Sequence, residues 1–275
     1  MSNFDFTNKV AIVTGSSRGI GKITVIQLLK KGVKVVINGR DPERLQKASE
    51  EISKLGFDVF AVQADIGNYK DCEKLINQTV EKYGKIDILI NNAGLAMEGS
   101  IENSPPETFE KVFNANILGQ LFPTKAALPH IKKTKGSIIF NSSIAGFFGL
   151  PNFSAYSSSK MSLTAMAQSL KIELTGTGIH VGINYIGFAE NEIQKTFYNE
   201  KGKLEVMEVR ENFKKMPIEK IADKIIKGIE KRKYKTIFSF TGKLLLFSQR
   251  FIPRIFEKLM LMTYKKQLKE KISTK

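Results

Sequence analysis

The chain has 275 residues, 42% apolar and 25% charged, the proportions of a soluble globular protein, and at this length burial of roughly 70–75% of the unfolded surface needs no cross-link. One cysteine (Cys72) and two histidines (His130, His180) exclude an internal disulfide framework, a multi-thiolate metal site and a His-rich zinc site, although the count leaves a Ser-His-Asp hydrolase open. The net charge of +16 is uneven, +3 over residues 1–200 and +13 over residues 201–275, which points to an anionic partner surface, lipid or nucleic acid.

Residues 1–6 show no basic segment followed by an apolar run, so no cleavable leader is read. No stretch of 18 uncharged apolar residues predicts a membrane span, and the cytoplasm is the expected compartment. From there, short β-branched runs alternate with helical patterns. Strands are predicted over 9–14, 33–38, 59–63, 86–91, 137–141, 178–185 and 234–238. Helices are predicted over 20–31, 42–55, 69–83, 106–131, 154–175 and 218–229, with Gly32, Gly56 and Gly84 as stops. Pro123 and Pro129 are expected to bend or end the helix over 106–131. The strand runs are apolar without alternation, as burial on both faces requires. Strand–helix repetition predicts a doubly wound α/β domain with about seven parallel strands.

Between the first strand and the first helix lies Thr14-Gly15-Ser16-Ser17-Arg18-Gly19-Ile20-Gly21. Its glycines permit a sharp turn and the approach of a pyrophosphate to the helix N-terminus, where free N–H groups and the dipole favour negative charge. The spacing is G-x3-G-x-G. The end of the second strand is where a dinucleotide's adenosine ribose would lie, and there the chain has Gly39-Arg40. Arg18 and Arg40 together suit a 2′-phosphate, hence NADP(H) in preference to NAD(H). Asp41 is the opposing signal, since a shift of one residue would make it a ribose ligand; in the alternative it caps the next helix.

Tyr156 and Lys160 are four apart at the start of a predicted helix and so share a face. A phenol near pKa ~10 is a poor acid–base group at neutral pH, and a cation one turn away lowers that value. Ser143, thirteen residues earlier, has a hydroxyl able to hold a carbonyl oxygen, with Ser142 as its neighbouring rival.

Taken in order, Thr14-Gly15-x3-Gly19-x-Gly21, Asp65, Asn91-Asn92-Ala93-Gly94, Asn116, Ser143 and Tyr156-x3-Lys160 resemble the short-chain dehydrogenase/reductase family, over about residues 6–190. The resemblance implies a Rossmann-type fold and an oxidoreductase acting on carbonyl or alcohol groups. It implies Tyr156 as general acid, Lys160 lowering its pKa and binding the nicotinamide ribose, and Ser143 polarising the carbonyl. Asn116 would hold a water that links Lys160 to solvent. Asp65 would meet adenine and Asn92 the ribose region. Ser17, Ile20, Ile66, Ala93, Gly94 and Gly187 join Gly15, Arg18, Gly19, Gly21 and Arg40 in the cofactor set. The family's Pro-Gly and following Thr are replaced here by Ile186-Gly187 and Asn191; an amide can serve a carboxamide as a hydroxyl does. A homo-oligomer is also implied. Cys72, His130 and His180 are read as structural, and no metal is expected.

The catalytic domain is read as residues 1–236, with a substrate loop about 188–216, and residues 237–275 as an extension. Residues 231–275 carry 13 basic and 2 acidic side chains, net +11. Apolar residues at 252, 255, 256, 259 and 262 follow helical spacing. This predicts a basic, apolar helical extension drawn to anionic lipid, with packing on the domain or a partner subunit as the alternative. No nucleic-acid motif accompanies the charge. The expected activity is NADPH-dependent reduction of a ketone or aldehyde, with a lipophilic substrate suited to the extension. The rivals are an NAD-dependent alcohol or hydroxysteroid dehydrogenase and a non-catalytic dinucleotide-binding scaffold.

Overall fold

The computed structural model describes residues 4–190, 196–206 and 215–273, with side chains as far as 266. In chain order the first half runs β1 (Val10–Val13), α1 (Gly19–Leu29), β2 (Lys34–Gly39), α2 (Pro42–Ser53), β3 (Phe60–Gln63), α3 (Tyr69–Tyr83), β4 (Ile88–Asn91) and β5 (Ala96–Met97). Then come α4 (Pro106–Phe113), a π-turn (Asn114–Leu118), α5 (Gly119–Thr134), β6 (Ser137–Ser143), a 3-10 turn (Ile144–Gly146) and α6 (Ser154–Glu173). The chain continues through β7 (His180–Ile186), β8 (Thr196–Tyr198), β9 (Leu204–Val206), α7 (Ile218–Glu230), β10 (Lys235–Ile237), α8 (Phe240–Phe251) and α9 (Pro253–Ser273).

Seven strands form one sheet in the order β10-β7-β6-β4-β1-β2-β3, and every pairing is parallel. Parallel neighbours need a crossover between them, and helices supply most of these. The strand order reverses between β1 and β4. The chain therefore leaves those two strands in opposite directions and opens a crevice at their carboxyl ends, where ligands of such sheets bind.

Burial explains why the strands read as unbroken apolar runs. Ala11 and Val13 face a cluster with Val25, Leu28, Leu45, Ile52, Ile221 and Ile225. Ile12, between them, faces the opposite cluster with Leu75, Ile76, Ile131, Leu163 and Ala167. Helix ends follow local chemistry. Asn68 accepts the Asp71 N–H at the start of α3, and Gly84, at φ +76°, closes it; that left-handed angle suits glycine.

Three readings are corrected. The expected helix over 106–131 is interrupted by the π-turn, and Pro123 and Pro129 lie inside α5 without ending it. Pro123 is buried and α5 packs along α3, so tertiary contact overrides the local penalty. The strand over 137–141 extends to Ser143, which pairs with Ile186. A second, three-stranded sheet forms from β5, β8 and β9, and its β8 and β9 lie in the expected substrate loop. Its strands of two or three residues are too short to show a period.

Candidate active site

The Gly-rich turn leaves β1 and enters α1. Gly15 and Gly19 adopt φ of +59° and +57°, a region costly for side chains. A Cβ on Gly15 would lie 2.7 Å from Ala93, and one on Gly21 would lie 2.5 Å from the Gly15 carbonyl and 2.6 Å from Asn92 Nδ2. The Arg18 side chain, at the N-cap, does not cap α1, and the first turn holds no acidic residue. A helix N-terminus behind a glycine turn, with no acidic residue in its first turn, suits the pyrophosphate of a dinucleotide. The residues present fit that cofactor.

Thr14, Asn92 and Ala93 lock the floor of this cradle. Thr14 Oγ1 accepts the Asn92 and Ala93 N–H groups at 3.0 and 3.2 Å. Asn92 Nδ2 donates to the Thr14 and Gly15 carbonyls, each at 3.1 Å. Ser17 lies against Gly39, where a Cβ would meet its Oγ at 3.4 Å, so the turn meets the end of β2. Arg40 follows there, exposed. Arg18 Nη2 donates to Thr196 Oγ1 at 3.4 Å. Asp41 is engaged elsewhere: its Oδ1 accepts the Arg44 N–H at 3.0 Å, capping α2, and its Oδ2 pairs with the Arg44 guanidinium at 3.2 Å. Asp65 is exposed and accepts the Gly67 N–H at 2.9 Å. Ile66 is buried, 7% exposed.

The candidate reacting groups gather at the carboxyl ends of β4, β6 and β7. Ser142 and Ser143 separate as alternation along a strand demands. Ser142 Oγ donates to the Lys160 carbonyl at 2.9 Å and is buried. Ser143 instead sits beside the Tyr156 phenol and draws its pKa down, while its Oγ accepts the Ala145 N–H at 3.2 Å. Lys160, 6% exposed, donates from Nζ to the Asn141 carbonyl at 3.2 Å, and Nζ lies 5.9 Å from the Tyr156 ring centre. Gly94 borders the same ammonium, 3.2 Å from where its Cβ would be. Burial pushes the Tyr156 phenol above its usual range, and the neighbouring Ser143 hydroxyl pulls the other way without prevailing. The lowering expected from Lys160 is not what dominates here.

Asn116 sits in the π-turn with its side-chain amide fully used. Oδ1 accepts the Leu95 N–H at 2.7 Å, while Nδ2 donates to the Leu95 carbonyl at 2.8 Å and to Ser159 Oγ at 2.9 Å. Ser159 donates to the Tyr156 carbonyl at 2.8 Å, so the amide ties the Tyr156 turn to the strand end at β4. Gly187 adjoins Ser239, whose Oγ would lie 3.1 Å from a Cβ there. Asn191 lies outside the described residues.

Two residues that the sequence reading left out hold this edge together. Asn184 donates to Asn141 Oδ1 at 2.9 Å, and Asn141 donates to Asn92 Oδ1 at 3.1 Å. This amide chain crosses from β7 to the glycine turn. The signal was an Asn closing the apolar run Ile138-Ile139-Phe140, because a polar side chain there must be bonded.

The remaining candidates are elsewhere. His180 begins β7, at the far end from Ser143, and its ring nitrogens meet Ser137 Oγ at 3.2 Å and the Lys233 carbonyl at 3.0 Å. No hydrolase triad is assembled around it. Cys72 is buried, donates to the Ile66 carbonyl at 3.3 Å, and has its thiol pushed up to about 12 by burial. His130 lies in α5. Among the described residues no cluster suited to a metal ion occurs, and no helix is long and apolar enough to cross a membrane.

Residues 9–202 match the short chain dehydrogenase family. The chain is 35% identical over 189 residues to an uncharacterized oxidoreductase of Thermotoga maritima, covering 68% of this chain and 74% of that one. It is 37% identical over 185 residues to an 11-beta-hydroxysteroid dehydrogenase-like 4A of Arabidopsis thaliana, covering 66% of this chain and 62% of that relative, so the match spans less than two thirds of the plant protein. A Burkholderia phymatum short chain dehydrogenase/reductase solved with NAD superposes with a TM-score of 0.79 at 20% identity, over 90% of this chain and 94% of that one; at that identity the likeness shows the fold. The crevice at the sheet's carboxyl edge and the match over 194 residues lead to one conclusion: the chain belongs to the short chain dehydrogenase family, as an NAD(P)-dependent oxidoreductase of alcohol and carbonyl groups.

Proposed function

We propose that this protein reduces a ketone or aldehyde on a lipophilic substrate, using NADPH, with Tyr156 as the general acid. The observation that carries the reading is the buried Lys160 ammonium 5.9 Å from the Tyr156 ring centre, with Ser143 beside the same phenol. Tyr156 donates its proton to the carbonyl oxygen, and the Ser143 hydroxyl orients that oxygen. Burial keeps the phenol protonated at neutral pH, which suits an acid in the direction of reduction. Lys160 holds a positive charge under the phenol and stabilises the phenolate left behind. The bound nicotinamide dinucleotide supplies the hydride to carbon. Because the Asn116 amide is occupied, a water relay from Lys160 would use main-chain oxygens of the π-turn, where the extra residue loosens the helical ladder.

The preference for NADPH rests on Arg18 and Arg40 at the ribose end and on Asp41 being used as a helix cap. The NAD complex of the Burkholderia structure is the contrary comparison. The hydroxysteroid name of the plant relative and the basic, apolar residues 237–275 support a lipophilic substrate and a place on a membrane surface. In this reading residues 1–236 are the catalytic unit, residues 237–275 its extension, and Asn191 meets the nicotinamide carboxamide. The assembly is a homo-oligomer, as is usual in this family.

The test is a Tyr156→Phe variant assayed against alkyl and steroid ketones, beside fluorescence titrations with NADPH and NADH. Turnover should fall by about 10²–10⁴-fold, while NADPH binds both forms alike and more tightly than NADH. Unchanged turnover sinks the mechanism, and tighter NADH binding sinks the cofactor assignment. A scaffold would bind cofactor and turn over nothing in either form.

A further inference from the structure

A surface helix usually presents one apolar face to its domain and a polar face to water. Helix α8 does not. Leu245 and Leu246 pack on the core, with Gly242 beneath. On the opposite side, Phe240, Leu244, Phe247 and Phe251 project outward at spacings of four, three and four residues, with Phe240 80% and Phe251 64% exposed. After the corner at Ile252–Pro253 the pattern repeats in α9. Phe256 and Met260 turn inward, while Ile255, Leu259 and Met262 are each more than half exposed. Cations flank both outer rows: Lys243 and Arg250 on α8, Arg254 and Lys258 on α9. No ion pair between described residues involves these four.

An unpartnered apolar row edged with cations calls for an occupant that is apolar within and anionic at its surface. A second copy of the chain fits poorly, because each copy carries net +16 and the extension is its most basic part. A bilayer containing anionic lipid meets both demands.

The hairpin of α8 and α9 also touches the segment that joins Ser143 to Tyr156. A Cβ on Gly242 would lie 2.9 Å from Ile144 Cγ2. The Phe256 ring packs edge-on against Phe148, with ring centres 4.8 Å apart. Ser239, which caps α8, adjoins Gly187.

We infer that the α8–α9 hairpin is a docking surface for an anionic lipid bilayer, engaged through the outer rows of both helices. Docking there sets the Ser143–Tyr156 segment, packed on the hairpin's inner side, close to the lipid. The inference deepens the proposed lipophilic reduction by naming its partner surface, and its test does not depend on turnover.

The sequence contains no tryptophan, so a single introduced one reports unambiguously. The full-length Phe247→Trp variant is mixed with phosphatidylcholine vesicles, with and without phosphatidylserine. Its emission should shift to the blue with the serine lipid, be quenched by brominated acyl chains, and revert at high salt. Leu55→Trp, 57% exposed beyond the end of α2 on the other side of the sheet, should show neither change. In co-sedimentation, the double variant Phe247→Glu/Phe251→Glu should lose vesicle binding by at least ten-fold with an unchanged melting temperature, since both rings are exposed. Neutralising Lys243 and Arg250, each to Gln, should weaken it about five-fold per cation removed. Equal binding to neutral vesicles, no binding to either, or a concentration-dependent dimer that Phe247→Glu/Phe251→Glu abolishes would each overturn the docking surface. Vesicle binding without carbonyl turnover overturns the reductase reading alone.

Discussion

His180 shows how one buried group links stability to pH. It is 5% exposed, and burial pulls its imidazole down from 6.5 to about 4. The folded state therefore holds it neutral where the unfolded chain would protonate it. The stability so conferred is complete above about pH 6.5 and is lost as pH falls toward about 4, some 3 kcal/mol over that window. Urea melts from pH 7 to pH 4 should show this decline, and a His180→Gln variant should flatten it. A variant that keeps the same slope would place the acid sensitivity elsewhere. Tyr156 is the contrasting residue. Its raised pKa favours the neutral phenol, so reduction should hold level through neutrality and fall only at alkaline pH. The sequence identified both side chains, but not these directions, because desolvation depends on every atom packed around the group.

Helices α1 and α2 illustrate opposite uses of a helix start. The first turn of α1 opens on glycines and holds no acidic residue, which suits an anion. That of α2 is closed by Asp41, with Pro42 at its first position. The competing sequence reading gave Asp41 to the ribose. An Asp41→Ala variant separates the two. As a cap, its loss costs about 1 kcal/mol and lowers the melting temperature by a few degrees, with the NADPH-to-NADH affinity ratio unchanged. A ratio that moves toward NADPH would return Asp41 to the ribose. Cap residues and stop glycines are local signals, which is why α2 and α3 were legible to within a residue or two. The π-turn was not legible. One extra residue in a helical ladder leaves no mark on composition, and only the Asn116 bonds to Leu95 and Ser159 show what it positions.

For the whole molecule, a cofactor that binds only the folded state adds stability by mass action, about 2.7 kcal/mol at a hundred-fold excess over Kd. For a chain of this size that corresponds to a rise of roughly 5–10 °C in melting temperature. Heating scans with NADPH and with NADH at equal concentration should rank the two, NADPH higher. Equal shifts would remove the roles of Arg18 and Arg40. The same scans on Gly15→Ala should show no NADPH shift and a lower starting point, since its Cβ would meet Ala93 at 2.7 Å in a left-handed turn.

The sequence by itself determined the sheet and the glycine turn, and it offered Tyr156 and Lys160 with Ser143 or Ser142 as candidate reacting groups. The sheet and the turn follow from periodicity and from special backbone angles, which are short-range; the candidate reacting groups follow from the family resemblance of the motifs in order. The tertiary structure alone decided which serine faces Tyr156. Residues 142 and 143 differ only in strand phase, and that phase is set by pairing with β7. It alone produced the amide chain from Asn184 through Asn141 to Asn92, which joins residues distant in sequence across three strands. It also decided that the extension turns one apolar side to the core and another to solvent. Helical spacing shows that apolar rows exist, but which row is covered depends on what the domain places beneath it.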